Sequence, residues 1–188
     1  ILAWLAATLA RRAQLPRALL LVGIITATGA RIVQIALIQG AAGPLLTILP
    51  IRALALGLSA GVIQEVARAL GYGFLARGAV TKPQAALIGL GHGLVEPAYT
   101  GLLLLALGLS LVGGGAEQPD DPAGLLSGAL ADALASLLPI VMHMALSWVV
   151  LQVFLRGEIG WLFAAIFAHS LVELGAASLA GAGTSWPL

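Results

Sequence analysis

The chain has no cysteine. Disulfides, thiolate zinc sites, iron–sulfur clusters and a Cys nucleophile are therefore excluded. Charge is nearly as scarce. Only 9% of the 188 residues are Asp, Glu, Lys or Arg, against about a quarter in an ordinary soluble domain. So few charges cannot cover a globular surface in water. Nine basic residues against eight acidic ones leave a formal net charge of +1, which excludes the strong positive field of a nucleic-acid binder. Aromatic residues make up only 5%. What remains is apolar: 60% of the chain is hydrophobic, and 24 residues are glycine. This is the composition of an integral membrane protein, with small residues for close helix packing in lipid.

A membrane-crossing helix needs roughly 20 apolar residues. The chain reads as an all-α polytopic bundle forming a single domain over 1–188, with one partial and five full crossings. Residues 1–10 read as the tail of a truncated first helix, since the chain starts at Ile1. A signal peptide does not fit, because the Arg cluster follows the apolar run. The later crossings are expected at about 17–39, 46–76 and 83–112, then one ending near Leu155, then 159–180. An acidic Gly/Pro loop spans 113–122. Residues 123–138 read as an Ala/Leu-rich segment partly at the interface.

Arg11, Arg12 and Arg17 follow the first helix, Arg77 and Lys82 separate the third and fourth, and Arg156 lies between the last two. The intervening loops are uncharged or carry Glu117, Asp120 and Asp121. This alternation follows the positive-inside rule and places the basic loops in the cytoplasm. The expected location is a prokaryotic plasma membrane.

Several ionisable residues remain inside apolar spans: Arg31, Arg52, Glu65, Arg68, His92, Glu96, His143, His169 and Glu173. Such residues are costly in lipid and usually face a cavity or a partner. At a helical rise of about 1.5 Å per residue, Glu65, His92, Glu96, His143 and His169 all lie roughly 15–21 Å from the cytoplasmic ends of their helices. Four helices thus place Glu or His in one slab near mid-membrane. Glu65 and Arg68 are spaced i,i+3, while His92/Glu96 and His169/Glu173 are spaced i,i+4. Each pair shares a helix face. Imidazole and carboxylate can ligate zinc or another divalent metal, and either can act as a general base.

Plainer readings compete. Arg68 can serve as a structural ion-pair partner of Glu65. An intramembrane His can bridge helices by hydrogen bonding. His92 sits in a Gly-rich patch that tight packing explains, and Arg31 and Arg52 suit packing, snorkelling or lipid headgroups. Gly57-Leu58-Ser59-Ala60-Gly61 fits the G-x-S-x-G expression, but that motif needs a strand–turn–helix elbow. Here it reads as a small-xxx-small helix contact.

Gln64-Glu65-Val66-Ala67-Arg68 resembles the E-E-x-x-R motif of the YhfC-like membrane peptidases. Gly89-Leu90-Gly91-His92-Gly93-Leu94-Val95-Glu96 resembles their glycine-rich helix ending in Glu. His143-Met144-Ala145-Leu146-Ser147 and His169-Ser170-Leu171-Val172-Glu173 resemble their two later His motifs. Order and spacing match over roughly residues 45–180. The family is grouped with the CAAX-prenyl and bacteriocin-processing proteases, the PrsW proteases and a non-catalytic gamma-secretase scaffold subunit. The resemblance implies that Glu65 activates water and that Arg68 holds it. It also implies that Glu96, His143 and His169 complete the site, as metal ligands or oxyanion stabilisers, with His92 and Glu173 as further candidates. Gln64 stands where the family has a first Glu, and Glu173 where relatives commonly have Asp or Asn.

The leading expectation is therefore an intramembrane, glutamate- or metal-dependent protease acting on a membrane protein or peptide. Its partners would be the bilayer, that substrate and further subunits, with no nucleic acid. A non-catalytic scaffold of the same fold is the second reading. A transporter or proton relay is the third, and a haem protein ligated by His143 and His169 is the fourth.

Overall fold

The computed structural model describes residues 8, 11, 14–37, 49–114 and 121–181, without the side chains of 49, 50, 52, 122, 123, 132, 177 and 179–181. Most of the partial first helix, most of the acidic loop and the Arg52 side chain lie outside the described residues. Every regular element described is helical: α1 (Ala18–Ala36), α2 (Leu49–Leu70, continued by a π-helical turn Gly71–Leu75), α3 (Lys82–Gly93), α4 (Val95–Val112), α5 (Pro122–Ala135), α6 (Leu138–Arg156) and α7 (Gly160–Gly181). Four stretches are long and apolar enough to cross a membrane: Ala18–Ala36, Ala53–Leu75, Lys82–Val112 and Gly124–Arg156. Gly160–Ala176 is apolar but shorter.

Two expected segments are divided. The crossing expected over 83–112 breaks at Leu94 into α3 and α4. Pro97 explains the break, because it has no N–H and its ring crowds the carbonyl four residues earlier, at Gly93. The segment 123–138 forms a helix of its own, α5, and α6 begins afresh with Pro139 in its first turn. Proline is well tolerated there, where its missing N–H would have had no helical partner. The start of α3 is also written in the sequence. Thr81 accepts a hydrogen bond from the Gln84 backbone N–H, and the Gln84 side chain accepts from the Thr81 backbone. This capping box fixes the entry into the helix.

The core is built mainly by α2 against α7, and by α3 against both α6 and α1. Leu20, Ile88, Val150 and Leu151 form part of an apolar core, yet large apolar side chains also cover the outside and a polar cluster lies within. Leu21, Ile25, Ile32, Leu58, Leu102, Leu109, Val141 and Phe167 face outward, while Glu65, Arg68, His92, His143, Ser147 and His169 are buried. In lipid this costs nothing on the outside, and it places polar groups where they can satisfy one another.

Glycine sets the helix spacing. A Cβ on Gly89 would collide with the carbonyl oxygen of His143, and one on Gly91 with that of Leu20. On the other side of the bundle, a Cβ on Gly61 would lie 2.6 Å from the Ile166 carbonyl oxygen. Gly57 and Gly61 thus form a close α2–α7 contact, as the small-xxx-small spacing suggests. Gly89→Ala should destabilise the protein by about 1–3 kcal/mol through overpacking. Gly101→Ala, at an open helical position, should be neutral or stabilising. Thermal unfolding in one detergent would compare the two, and equal effects would refute the packing argument.

Candidate functional site

Glu65, Arg68 and Gln64 come from α2, His92 from α3, His143 from α6 and His169 from α7. Glu65, Arg68 and His169 are 0% exposed. The Glu65 carboxylate accepts at both oxygens: Oε2 from Arg68 Nη1 at 2.9 Å and Oε1 from His169 Nδ1 at 2.6 Å. Arg68 Nη2 lies 2.8 Å from His143 Nδ1. An arginine can only donate, so His143 Nδ1 must offer its lone pair. The proton of a neutral His143 ring then sits on Nε2. One guanidinium therefore ties the carboxylate of α2 to an imidazole of α6, and the same carboxylate reaches α7.

One helical turn further along both helices, Tyr72 repeats the α2–α6 link. Its hydroxyl donates to the Ser147 carbonyl at 3.0 Å and lies 2.9 Å from Ser147 Oγ. Tyr72 follows Arg68 by four residues, as Ser147 follows His143, so the two links share one register. The π-helical turn carries Tyr72, and such turns are common at functional sites. The sequence reading missed Tyr72; its spacing from Arg68 was the available signal.

A second set of contacts adjoins the first. His92 Nε2 lies 3.1 Å from Gln64 Oε1, and His92 Nδ1 lies 3.4 Å from Thr26 Oγ1. His92 is thus more than filler in a glycine patch. Its ring contacts His143, with centroids 4.8 Å apart. A small cavity of about 10 Å³, room for roughly one water, is lined by Ala27, Arg31, Gln64, His92, Val95, Glu96 and His143. Arg31, expected to serve packing, snorkelling or lipid headgroups, lines this cavity and reaches Gln34 Oε1 at 3.5 Å.

The metal set expected from the sequence was Glu96, His143 and His169. Among the described residues, the group that comes together is Glu65, His143 and His169, whose ligand atoms lie within 4.8 Å of one another. Glu96 stays at the cavity because it opens α4, a helix with no fully buried residue and turned off α3 at Leu94. The buried trio has the composition to hold a metal ion. Part of its donor capacity is already engaged: Arg68 and His169 each take one lone pair of a Glu65 oxygen, and Arg68 takes the lone pair of His143 Nδ1. A cation there would also sit beside a guanidinium. The trio as hydrogen-bonded fits a metal poorly.

His143 and His169 meet edge to face, with centroids 5.1 Å apart. That leaves no slot for a porphyrin between them, so the haem reading has no geometric support. Glu173 lies beyond His169, with its Oε1 3.7 Å from His169 Nε2.

No family model matches this chain, and neither a curated protein nor a solved structure does.

Proposed function

We propose that the protein is an intramembrane hydrolase of the protease type, similar to the YhfC-like peptidases, with Glu65 as the base. The observation that carries this reading is the full burial of Glu65 at the meeting point of three helices, with Arg68 and His169 each donating to one of its oxygens. Burying a charge is tolerated only when partners satisfy it. A chain that needed Glu65 only as an anchor could have used an apolar side chain at this contact.

The chemistry follows from the donors. Each Glu65 oxygen keeps a second lone pair, so the carboxylate can still accept a proton from water. The water oxygen then bonds to the peptide carbonyl carbon, and the C–N bond breaks as the proton passes to the leaving amine. His143, holding its ring proton on Nε2, is a donor for the developing oxyanion, and it lines the cavity through which water would arrive. Arg68 holds Glu65 and His143 together and offsets the charge of the carboxylate. A divalent metal such as zinc would add Lewis-acid polarisation of the carbonyl, with His169 as the imidazole left to hold it. The substrate would be a membrane protein or peptide, and the setting a prokaryotic plasma membrane with basic loops in the cytoplasm.

The test is a panel of single-span peptides reconstituted with the purified protein and read by mass spectrometry. Wild type should release products cut within the apolar segment, and the Glu65→Gln protein should not. No cleavage by either would favour the non-catalytic scaffold. That second reading has one feature in its favour: Gln64 leaves Glu65 as the only carboxylate in its motif, and Arg68 already pairs with it.

A further inference from the structure

A stripe of side chains on α6 ends in a cation that is held from two sides. Trp148, Gln152 and Arg156 follow one another at intervals of four residues, so they share a helix face. The Gln152 side chain donates through Nε2 to the Trp148 carbonyl at 3.3 Å and accepts at Oε1 from Arg156 Nε at 3.2 Å. The guanidinium therefore folds back along the helix, and its carbon lies 5.0 Å from the centre of the Trp161 ring on α7. A second cation reaches the same stripe from α3: Lys82 Nζ lies 5.2 Å from the centre of the Trp148 ring. Gly89 meets His143 and Gly93 meets Ile140, so α3 and α6 run antiparallel. The first residue of α3, Lys82, and the last of α6, Arg156, thus lie at one end of the bundle. Gln152 is one turn, about 6 Å, beyond Trp148, and the two charges are separated by about that much along the helix axis. Lys82 and Arg156 are exposed, and both indoles are half-buried. Among the described residues no carboxylate comes within 4.0 Å of either cation. Glu158, two residues past Arg156, instead accepts from Trp161 Nε1 at 3.2 Å. A cation in the first turn opposes the helix dipole, so Lys82 is not placed there to stabilise α3. Val80, Leu155 and Ile159, beside these cations in the chain, expose apolar side chains.

We propose that Lys82 and Arg156 hold the phosphate of an anionic phospholipid against the Trp148–Gln152–Arg156 stripe, where α3, α6 and α7 meet. Among the described residues only Nε of the Arg156 guanidinium is engaged, so its two terminal nitrogens are free to grip phosphate oxygens in parallel. Gln152 and Trp161 fix that guanidinium in advance, and Trp148 seats the Lys82 ammonium. Each ring–cation contact adds attraction and limits side-chain freedom. Basic pockets between membrane helices take anionic headgroups in this way, and half-buried indoles belong at the level of the headgroups. The occupant is a lipid because apolar side chains border the cations. Acyl chains would cover Val80, Leu155 and Ile159, whereas an acidic soluble partner or a free phosphate ester would leave them bare. This site requires only that the apolar helices lie in a bilayer, and it stands whether or not the protein cleaves peptides.

Native mass spectrometry of the full-length chain in a neutral maltoside detergent is the test, with phosphatidylglycerol and phosphatidylcholine of identical acyl chains as probes. Wild type should bind phosphatidylglycerol roughly tenfold or more tightly than phosphatidylcholine, since two basic residues near a membrane surface each contribute about fivefold to anionic-lipid binding. Lys82→Gln and Arg156→Gln should each weaken phosphatidylglycerol binding about fivefold, and together about 25-fold. Phosphatidylcholine binding should stay within about twofold, because its headgroup carries no net charge. Arg17→Gln, which removes an exposed cation ahead of α1, should leave the phosphatidylglycerol affinity within about twofold, since such attraction falls off within a Debye length. Size exclusion and circular dichroism would establish that each variant is folded. Equal binding of the two lipids by wild type would overturn the proposal. So would an Arg17→Gln loss as large as that of the double variant, which would mean a diffuse positive field in place of a site. Displacement of the lipid by an equal concentration of glycerol 3-phosphate would overturn it as well, by making a free phosphate ester the occupant. Hydrolysis enters none of these readouts, so failure of the lipid site and failure of the hydrolase reading are separable.

Discussion

Glu65→Gln should abolish most hydrolysis while leaving the fold in place. Gln has the shape of Glu but one acceptor oxygen and one NH₂ group. Arg68 can only donate, so the amide oxygen must face Arg68 Nη1. The NH₂ then faces His169 Nδ1, which in the wild type donates to Glu65 Oε1 at 2.6 Å. The clash of two donors is relieved if His169 moves its proton to Nε2. Both hydrogen bonds of the side chain survive, to Arg68 on its own helix and to His169 on α7, so thermal stability should fall modestly. On the proposed hydrolase reading the base is lost, and hydrolysis should fall by about 10²–10⁴-fold, the usual weight of general-base catalysis. ¹⁵N chemical shifts of labelled histidine should report the change of tautomer at His169. A folded variant that keeps wild-type hydrolysis would remove Glu65 from the role of base.

The fold class was readable because composition and run length decide it. A chain with 9% charged residues and 60% hydrophobic residues has few alternatives to helices in lipid. The glycine contacts were readable as well, since Gly57 and Gly61 fall on one helix face. What the sequence did not reveal was how Pro97 would act. An apolar run from 83 to 112 reads as one crossing by hydropathy, and a proline inside a membrane helix is often accommodated. Here the helix is interrupted at Leu94, and that local event decides where Glu96 goes.

The candidate site was partly readable for a related reason. Depth along a helix follows from counting residues, so the shared slab of Glu65, His92, His143 and His169 could be anticipated. Azimuth cannot be counted in the same way when spans are apolar on every side. Periodicity therefore did not say that Glu65, in place of Glu96, would meet both His143 and His169. Nor did it say that His92 would bond to Gln64 from the adjacent helix. Tyr72 and Thr26 escaped notice because a single hydroxyl in an apolar span is unremarkable until its partner is known.

Arg68 is the position where substitution should cost the most stability. It is fully buried, and its two terminal nitrogens donate to Glu65 Oε2 at 2.9 Å and His143 Nδ1 at 2.8 Å. Arg68→Met removes both donors and leaves the Glu65 charge buried with only His169 as a partner. Breaking one side of a buried ion pair costs about 3–5 kcal/mol, and the orphaned His143 acceptor adds to it. The midpoint of unfolding in a denaturing detergent titration should shift strongly. The double variant Arg68→Met with Glu65→Leu removes the charge together with its partner. It should recover much of the loss, because an apolar pair of similar volume often matches a buried ion pair in stability. Hydrolysis should be lost in both variants. Recovery of stability without recovery of activity is the signature of an ion pair retained for chemistry. A double variant as unstable as Arg68→Met would instead mean that the pair is needed to assemble α2, α6 and α7, and the scaffold reading would gain accordingly.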